Sequence, residues 1–394
     1  MNKRLSVLAG GTLVIVCLVA LSILLPSRTP PSYEGKTLNE WISQLQRAEK
    51  RNHDKWHDDL GKAQTAIRAM GTNALPFLIA DVTARPTPKD RVAGWLVKHA
   101  PFLKLRPPNI PDRWVRGIRG LEVLGPVAKP HLPELTSLAT NNIGYGPSAL
   151  LAVGADALPA VTNLLACSAY PLTGNLIGAL ANAVYAERIK PEEAALMIPV
   201  LVKAFRSTDT RARYYAAAAM GAIHQHPELC VPVLAEGLGD PNPGIPEQSS
   251  QALGRFGDAA AGHAEKLADL FDQGSADVRQ AICGALANFK STPDVAVPIL
   301  MRGLTDADLG VRVWAANGLG QLAAQADKVV PALVNATQDH RPIMRSVAVQ
   351  AVGLFGDKAK TAVPDLERMC LDPDASVRNA ATNALRRVEA GQTQ

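Results

Sequence analysis

A single spacing runs through the second half of this 394-residue chain and restricts its fold more than any other feature. An x-Pro-x-apolar signature recurs at Pro199, Pro232, Pro298, Pro331 and Pro364, with Glu265 in the one slot that lacks proline. Each step is 33 residues. A second ladder, offset from the first, places Arg213, Pro246, Arg279, Arg312, Arg345 and Arg378 at the same interval. Self-similarity at a period of about 20–50 residues marks stacked supersecondary units, none of which can bury its apolar face alone. A solenoid is therefore expected, a surface for holding something.

The unit beginning at Ala326 shows what a repeat contains. Val329, Val330, Leu333, Val334 and Ala336 make a stripe of helical period, and Asp339 ends that helix in a turn. A second helix follows, with Ile343, Val347, Ala348, Ala351, Val352 and Leu354 on its inward face. Gly353 recurs as Gly221, Gly254 and Gly320, with Ala287 in the remaining slot, where small size permits close helix contact. No sustained alternating Val/Ile/Thr run reads as a strand, and the Ala, Leu and Val content suits packed helices. The fold class is thus all-α, an α-solenoid of two-helix repeats. Length does not count domains in such an array.

Asp306-Ala-Asp308-Leu-Gly-Val311-Arg312 and Asp372-Pro-Asp374-Ala-Ser-Val377-Arg378 each lead into a helix rich in small residues. These segments resemble HEAT repeats of the short, phycobilisome-lyase-like type, and the resemblance covers residues 191–390. Ankyrin repeats share the period, but their Thr-Pro-Leu-His signature is absent, as is the tetratricopeptide pattern. The resemblance implies a structural ladder between neighbouring repeats, in which Asp240, Asp306, Asp339 and Asp372 would pair with Arg279, Arg312, Arg345 and Arg378. Upstream, Leu75-Pro76, Leu132-Pro133 and Leu158-Pro159 continue the pattern at looser intervals, so residues 37–190 are expected to hold degenerate repeats. Thr37-x-x-Glu40 reads as a capping box opening the first helix.

Lys3 and Arg4 precede an uncharged run from Leu5 to Leu25, ended by Pro26. Its 21 residues would span roughly 30 Å as a helix, the thickness of a hydrocarbon core. Residues 1–27 are accordingly expected to form one uncleaved transmembrane signal anchor ahead of the solenoid, with residues 28–36 as an extended linker. Charge before the span places the N-terminus in the cytoplasm and the solenoid on the exported side; cleavage of the segment would instead make the protein secreted.

Chemistry has few places to reside. Cys167, Cys230, Cys283 and Cys370 sit in apolar helical contexts without a C-x-x-C pair, and read as buried free thiols. His53 and His57 have a spacing that can bind zinc, but the glutamate of H-E-x-x-H is missing. The chain lacks the His-Glu dipeptides that hold iron in deoxyhypusine hydroxylase, an enzyme of HEAT-like build. Walker, G-x-S-x-G and dinucleotide-binding motifs are also missing. No metal, cofactor or small-molecule substrate is expected.

The formal charge of +5 is concentrated. Residues 85–119 carry nine Lys/Arg against Asp90 and Asp112, with six prolines, and interrupt the array as a basic insert. Arg91, Trp95, Lys98, Lys104, Arg106, Arg113, Trp114 and Arg116 are the candidate binding residues, able to grip an acidic protein surface, phosphates or anionic lipid. The bland alternative is that the tryptophans pack inward and the charges solvate a loop. The function these features imply is a non-catalytic, membrane-anchored scaffold that binds another protein on a concave face lined by its second helices, in an envelope assembly. The alternatives are a lyase-like or metal-dependent enzyme, and nucleic-acid or anionic-lipid binding through the insert.

Overall fold

The computed structural model describes residues 29–49, 55–87, 110–141, 144–167 and 173–391, with Asp90, Trp95 and Lys98 between them; for residues 55–57 it describes the backbone alone. The chain divides into two compact units, Met1–Val127 and Ala128–Gln394.

In the first unit the described chain opens with a hairpin, β1 (Ser32–Tyr33) against β2 (Lys36–Thr37), where an extended linker is expected from the sequence. Glu34 and Gly35 both take positive φ, 47° and 75°, which a two-residue type I′ turn requires. Helix α1 (Leu38–Glu49) starts on the capping box: the Thr37 backbone N–H donates to Glu40 Oε2 at 2.7 Å, and the Glu40 N–H returns to Thr37 Oγ1 at 3.4 Å. Trp41 is buried on this helix and its indole N–H donates to the Tyr33 carbonyl, which fastens the hairpin to α1. Helix α2 (Lys55–Met70) packs on α1, and α3 (Leu75–Val82) packs on α4 (Ile110–Leu124). A Cβ at Gly117 would lie 2.8 Å from the Leu78 carbonyl oxygen, so only glycine lets α4 approach α3 this closely.

The second unit is a row of helix pairs. Its first helices are α5 (Leu132–Thr140), α7 (Leu158–Ala166), α9 (Ile198–Phe205), α11 (Pro227–Gly237), α13 (Ala264–Gln273), α15 (Pro293–Gly303), α17 (Ala326–Ala336) and α19 (Val363–Met369). Their second helices are α6 (Gly146–Leu151), α8 (Thr173–Tyr185), α10 (Thr210–Ile223), α12 (Gly244–Phe256), α14 (Ala276–Leu286), α16 (Leu309–Leu322), α18 (Pro342–Leu354) and α20 (Ala375–Glu389). From α8 onward the second helices pack on one another far more extensively than the first helices do. Small residues set that approach. A Cβ at Gly254, Gly320 or Gly353 would sit 2.7–2.8 Å from the Cα of Ala285, Ala351 or Ala384, each on the next second helix.

Local chemistry ends and restarts the helices. Asp209, Ser275, Asp308 and Asp374 cap the second helices by accepting from backbone N–H groups of their first turns. The ladder prolines Pro199 and Pro364 stand in the first turn of their helices, whereas Pro232, Pro298 and Pro331 lie inside helices that begin about a turn earlier. Gly257 and Gly356 open one type of joint between repeats with φ of 55°. In another type, His224 and His226, and again Ala323 and Gln325, hold left-handed backbone without glycine.

Two expectations need correction. Among the described residues no helix is long and apolar enough to cross a membrane. The longest, Lys55–Met70, has 16 residues and is amphipathic, short of the ~20 apolar residues that a span needs. The single-pass topology, with its signal anchor and an exported solenoid, is withdrawn on that finding; the run Leu5 to Leu25 itself lies outside the described residues. The cysteines also differ from a uniform set of buried thiols. Cys230 and Cys283 are buried, and burial pushes both thiols up to about 12, but Cys167 is exposed and Cys370 half-buried.

Candidate functional site

Three groups of residues compete for a role: the repeated ion pairs, the basic segment, and the face formed by the second helices. In the ion pairs, each arginine reaches forward to the turn aspartate of the next repeat. Arg279 Nε donates to Asp306 Oδ2 at 2.7 Å and Nη2 to Oδ1 at 2.8 Å. Arg345 grips Asp372 the same way at 2.8 and 2.9 Å, Arg312 meets Asp339 at 3.2 Å, and Arg213 meets Asp240 at 2.9 and 3.2 Å. The remaining guanidinium nitrogen points backward. Arg312 Nη1 donates to the Asp306 and Ala307 carbonyls, and Arg345 Nη1 to those of Asp339 and His340. Arg378 keeps this backward half, donating to the Asp372 and Pro373 carbonyls.

The aspartates are equally engaged. Asp240, Asp306, Asp339 and Asp372 each accept a backbone N–H two residues on, which holds the turn before the second helix. Hydrogen bonding from Arg279 and Arg345 holds the Asp306 and Asp372 carboxyls below the usual range, against the opposing pull of burial. Both oxygens of each of these carboxylates accept a hydrogen bond from within the chain.

The basic segment is divided by its surroundings. From Ile110 on it is helical rather than a loop, because α4 turns an apolar stripe of Ile110, Ile118, Leu121 and Leu124 into the first unit. Arg113 and Arg116 both pair with Asp81, at 2.9 and 3.3 Å, and the Trp114 indole N–H donates to the Ala84 carbonyl at 2.8 Å. Arg119 joins Glu122 and Glu49. Trp95 and Lys98 are exposed. Arg91, Lys104 and Arg106 lie outside the described residues, as do His53 and the side chain of His57.

The second helices expose a groove on the face expected from the sequence to hold a partner. Two adjoining depressions of about 770 and 650 Å³ run across α12, α14, α16, α18 and α20, and Trp314 lines both. Trp314 is 46% exposed, and its indole lies over α14 at Gly284, 3.5 Å from where a Cβ there would be, an ordinary van der Waals distance. Side chains come to the groove in columns at the repeat interval. Gln251, Gly284, Asn317, Gln350 and Asn383 form one column, and Glu247, Gln280, Val313, Ser346 and Asn379 stand four residues before them. Positions four apart share a helix face, so the two columns run side by side.

Charge is unevenly spread along this floor. At one end Glu247 faces Asp277 across α12 and α14, and burial, followed by the Asp277 charge, raises the Glu247 carboxyl above its ordinary range. Arg255 shares that end but stacks over the Tyr185 ring at 4.7 Å. At the other end stands Arg387. Between them the polar groups are carboxamides and two serines, Ser346 and Ser376. The same 33-residue register that marks the ion pairs would have marked these columns.

The comparisons agree with this architecture. Residues 198–287 and 297–386 match the family model for HEAT repeats. No curated protein matches. Among solved structures, the karyopherin Kap121p bound to the extreme C-terminus of the protein phosphatase Cdc14p is 13% identical, with a TM-score of 0.53 over 92% of this chain. This chain spans about half of that protein, 46%. The CpcE–CpcF complex of phycocyanin lyase from Nostoc is 18% identical, covering 58% of this chain and 94% of its own, with a TM-score of 0.38. An engineered protein is 21% identical over 66% of this chain and 98% of its own, at 0.33. Residues 198–386 of the second unit thus carry HEAT repeats, and the solenoid fold they build is shared with the karyopherin.

Proposed function

We propose that this protein is a non-catalytic scaffold that binds another protein along the groove of its second helices. Trp314 carries the reading. A large aromatic ring left 46% exposed, at the centre of a groove rather than on a convex shoulder, has the character of a binding anchor. The ion pairs are not available for a ligand, since both members are engaged within the chain. Arg113, Trp114 and Arg116 are likewise tied to Asp81 and Ala84. The karyopherin of similar fold is bound to the C-terminus of a phosphatase, which supports a polypeptide as the kind of ligand.

The test is a photocrosslinking amino acid placed at Val347, in the groove, and at Lys328, exposed on a first helix. A defined partner captured from Val347 and not from Lys328, and reduced roughly tenfold by Trp314→Ala, is the expected result. Equal capture at both positions, or capture that Trp314→Ala leaves unchanged, would overturn it.

A further inference from the structure

The groove's chemistry narrows what kind of protein segment fits it, an inference that rests on the scaffold reading above. Gln251, Asn317, Gln350 and Asn383 present uncharged carboxamides at one register of four second helices. Each carboxamide has donors and an acceptor, the same complement as a peptide group, and can satisfy a backbone whatever its side chains are. Some of these groups are turned to neighbours: Gln251 Nε2 donates to Glu247 Oε1 at 3.1 Å while its Oε1 accepts from Gln248 Nε2 at 3.4 Å, and Gln350 Nε2 donates to Ser346 Oγ at 3.2 Å; each amide oxygen keeps a second lone pair that can accept from a ligand.

Other occupants fit less well. A phosphate backbone would require a floor of cations, whereas Glu247 and Asp277 stand at one end and the middle is uncharged. An amphipathic helix would require a continuous apolar trough, whereas polar columns run down this one. Adjacent helices pack about 8–10 Å apart and an extended chain advances about 3.3 Å per residue, so one repeat corresponds to about three residues of ligand. We infer that the groove holds an extended polypeptide segment of roughly twelve residues, its backbone on the carboxamide column, an apolar side chain on Trp314 and a basic side chain between Glu247 and Asp277.

The probe is a phage-displayed library of random linear 12-residue peptides panned against the full-length protein, followed by a fluorescent synthetic copy of the enriched sequence. Enriched peptides should share a Lys or Arg at a fixed distance from an apolar residue. Changing that basic residue to Glu should weaken binding at least tenfold, and the Glu247→Lys, Asp277→Lys double variant should recover the Glu peptide. Backbone N-methylation every third residue, or Gln350→Leu with Asn383→Leu, should also weaken binding at least tenfold without moving the melting temperature. If no linear peptide is enriched while a crosslinker at Val347 captures a folded partner, the scaffold reading stands and the extended segment fails. Enriched peptides indifferent to N-methylation or to charge reversal would equally overturn the inference. Failure of both peptide selection and crosslinking would end both readings.

Discussion

Asp372 shows how much one residue is asked to do in this array. Its carboxylate accepts two hydrogen bonds from Arg345 of the preceding repeat and one from the Asp374 backbone, in a setting where its side chain is only 5% exposed. Those bonds, chiefly the pair from Arg345, hold its folded pKa below the ordinary aspartate value. A depressed folded pKa means that the stabilisation is complete above the unfolded value and is lost as pH falls through the folded one. Asp306 behaves alike, so stability should decline with acidity below about pH 4. Asp372→Asn preserves the shape but not the charge. It should lower stability by about 1–2 kcal/mol at pH 7 and make the acid branch of the stability curve shallower, measured by urea unfolding between pH 7 and 3. An acid branch as steep as the wild type's would show that Asp372 does not carry the dependence. The sequence reveals the positions of these residues but not their partners, for a physical reason: six residues back and 27 residues forward have the same phase in a 33-residue repeat. Only the fold shows that Arg345 sends its carboxylate contacts forward to Asp372 and its backbone contacts back to Asp339.

At the scale of the element, the second helices were legible as helices and as the face expected to hold a partner, but the side chains that line that face were not legible. Helix α16 reads Leu-Gly-Val-Arg-Val-Trp-Ala-Ala-Asn-Gly-Leu-Gly-Gln-Leu and is apolar nearly all round, because it is flanked on both sides by other second helices as well as by first helices. An apolar period cannot mark the open side of such a helix, which is why Trp314 and Asn317 pass for core. What the period does mark is where helices touch. Gly320 is such a place, since a Cβ there would lie 2.8 Å from the Ala351 Cα and 2.9 Å from its Cβ. Backbone atoms cannot rotate away as a side chain can, so Gly320→Val should separate α16 from α18 and destabilise the protein by about 1–3 kcal/mol. Gly262→Ala, with nothing within 4 Å of the added carbon, is the control and should stay within about 0.5 kcal/mol. Equal thermal shifts for the two variants would mean that the close approach at Gly320 is not needed.

Across the whole array of residues 128–394, stability is set junction by junction, because each repeat touches only its neighbours. The ion pairs bind most regular junctions, and one junction lacks its pair. The slots between α12 and α13 are filled by Pro246 and Gln273 where the others have arginine and aspartate. Both members are replaced together, as expected where a single survivor would be a part-buried charge without a partner. The helices still meet there, through Gly254 on Ala285, and Lys266 donates to the Ala235 carbonyl. The same junction brings Glu247 toward Asp277, two like charges across the gap. A row of repeats with one weaker joint should open there first. Hydrogen exchange read by mass spectrometry should therefore find lower protection in α12 and α13 than in α16 and α17, the second and first helices of a junction that keeps its ion pair. Restoring the pair with Pro246→Arg and Gln273→Asp together should raise protection in α12 and α13, while either change alone should not, since each introduces one charge without its partner. Uniform protection from α10 to α20, or a gain from Pro246→Arg alone, would show that the missing ion pair does not set the weak point. If the joint opens as described, the carboxylates that weaken it are also those that would meet a basic ligand side chain, so a ligand in the groove should protect α12 and α14 more than it protects α18 and α20.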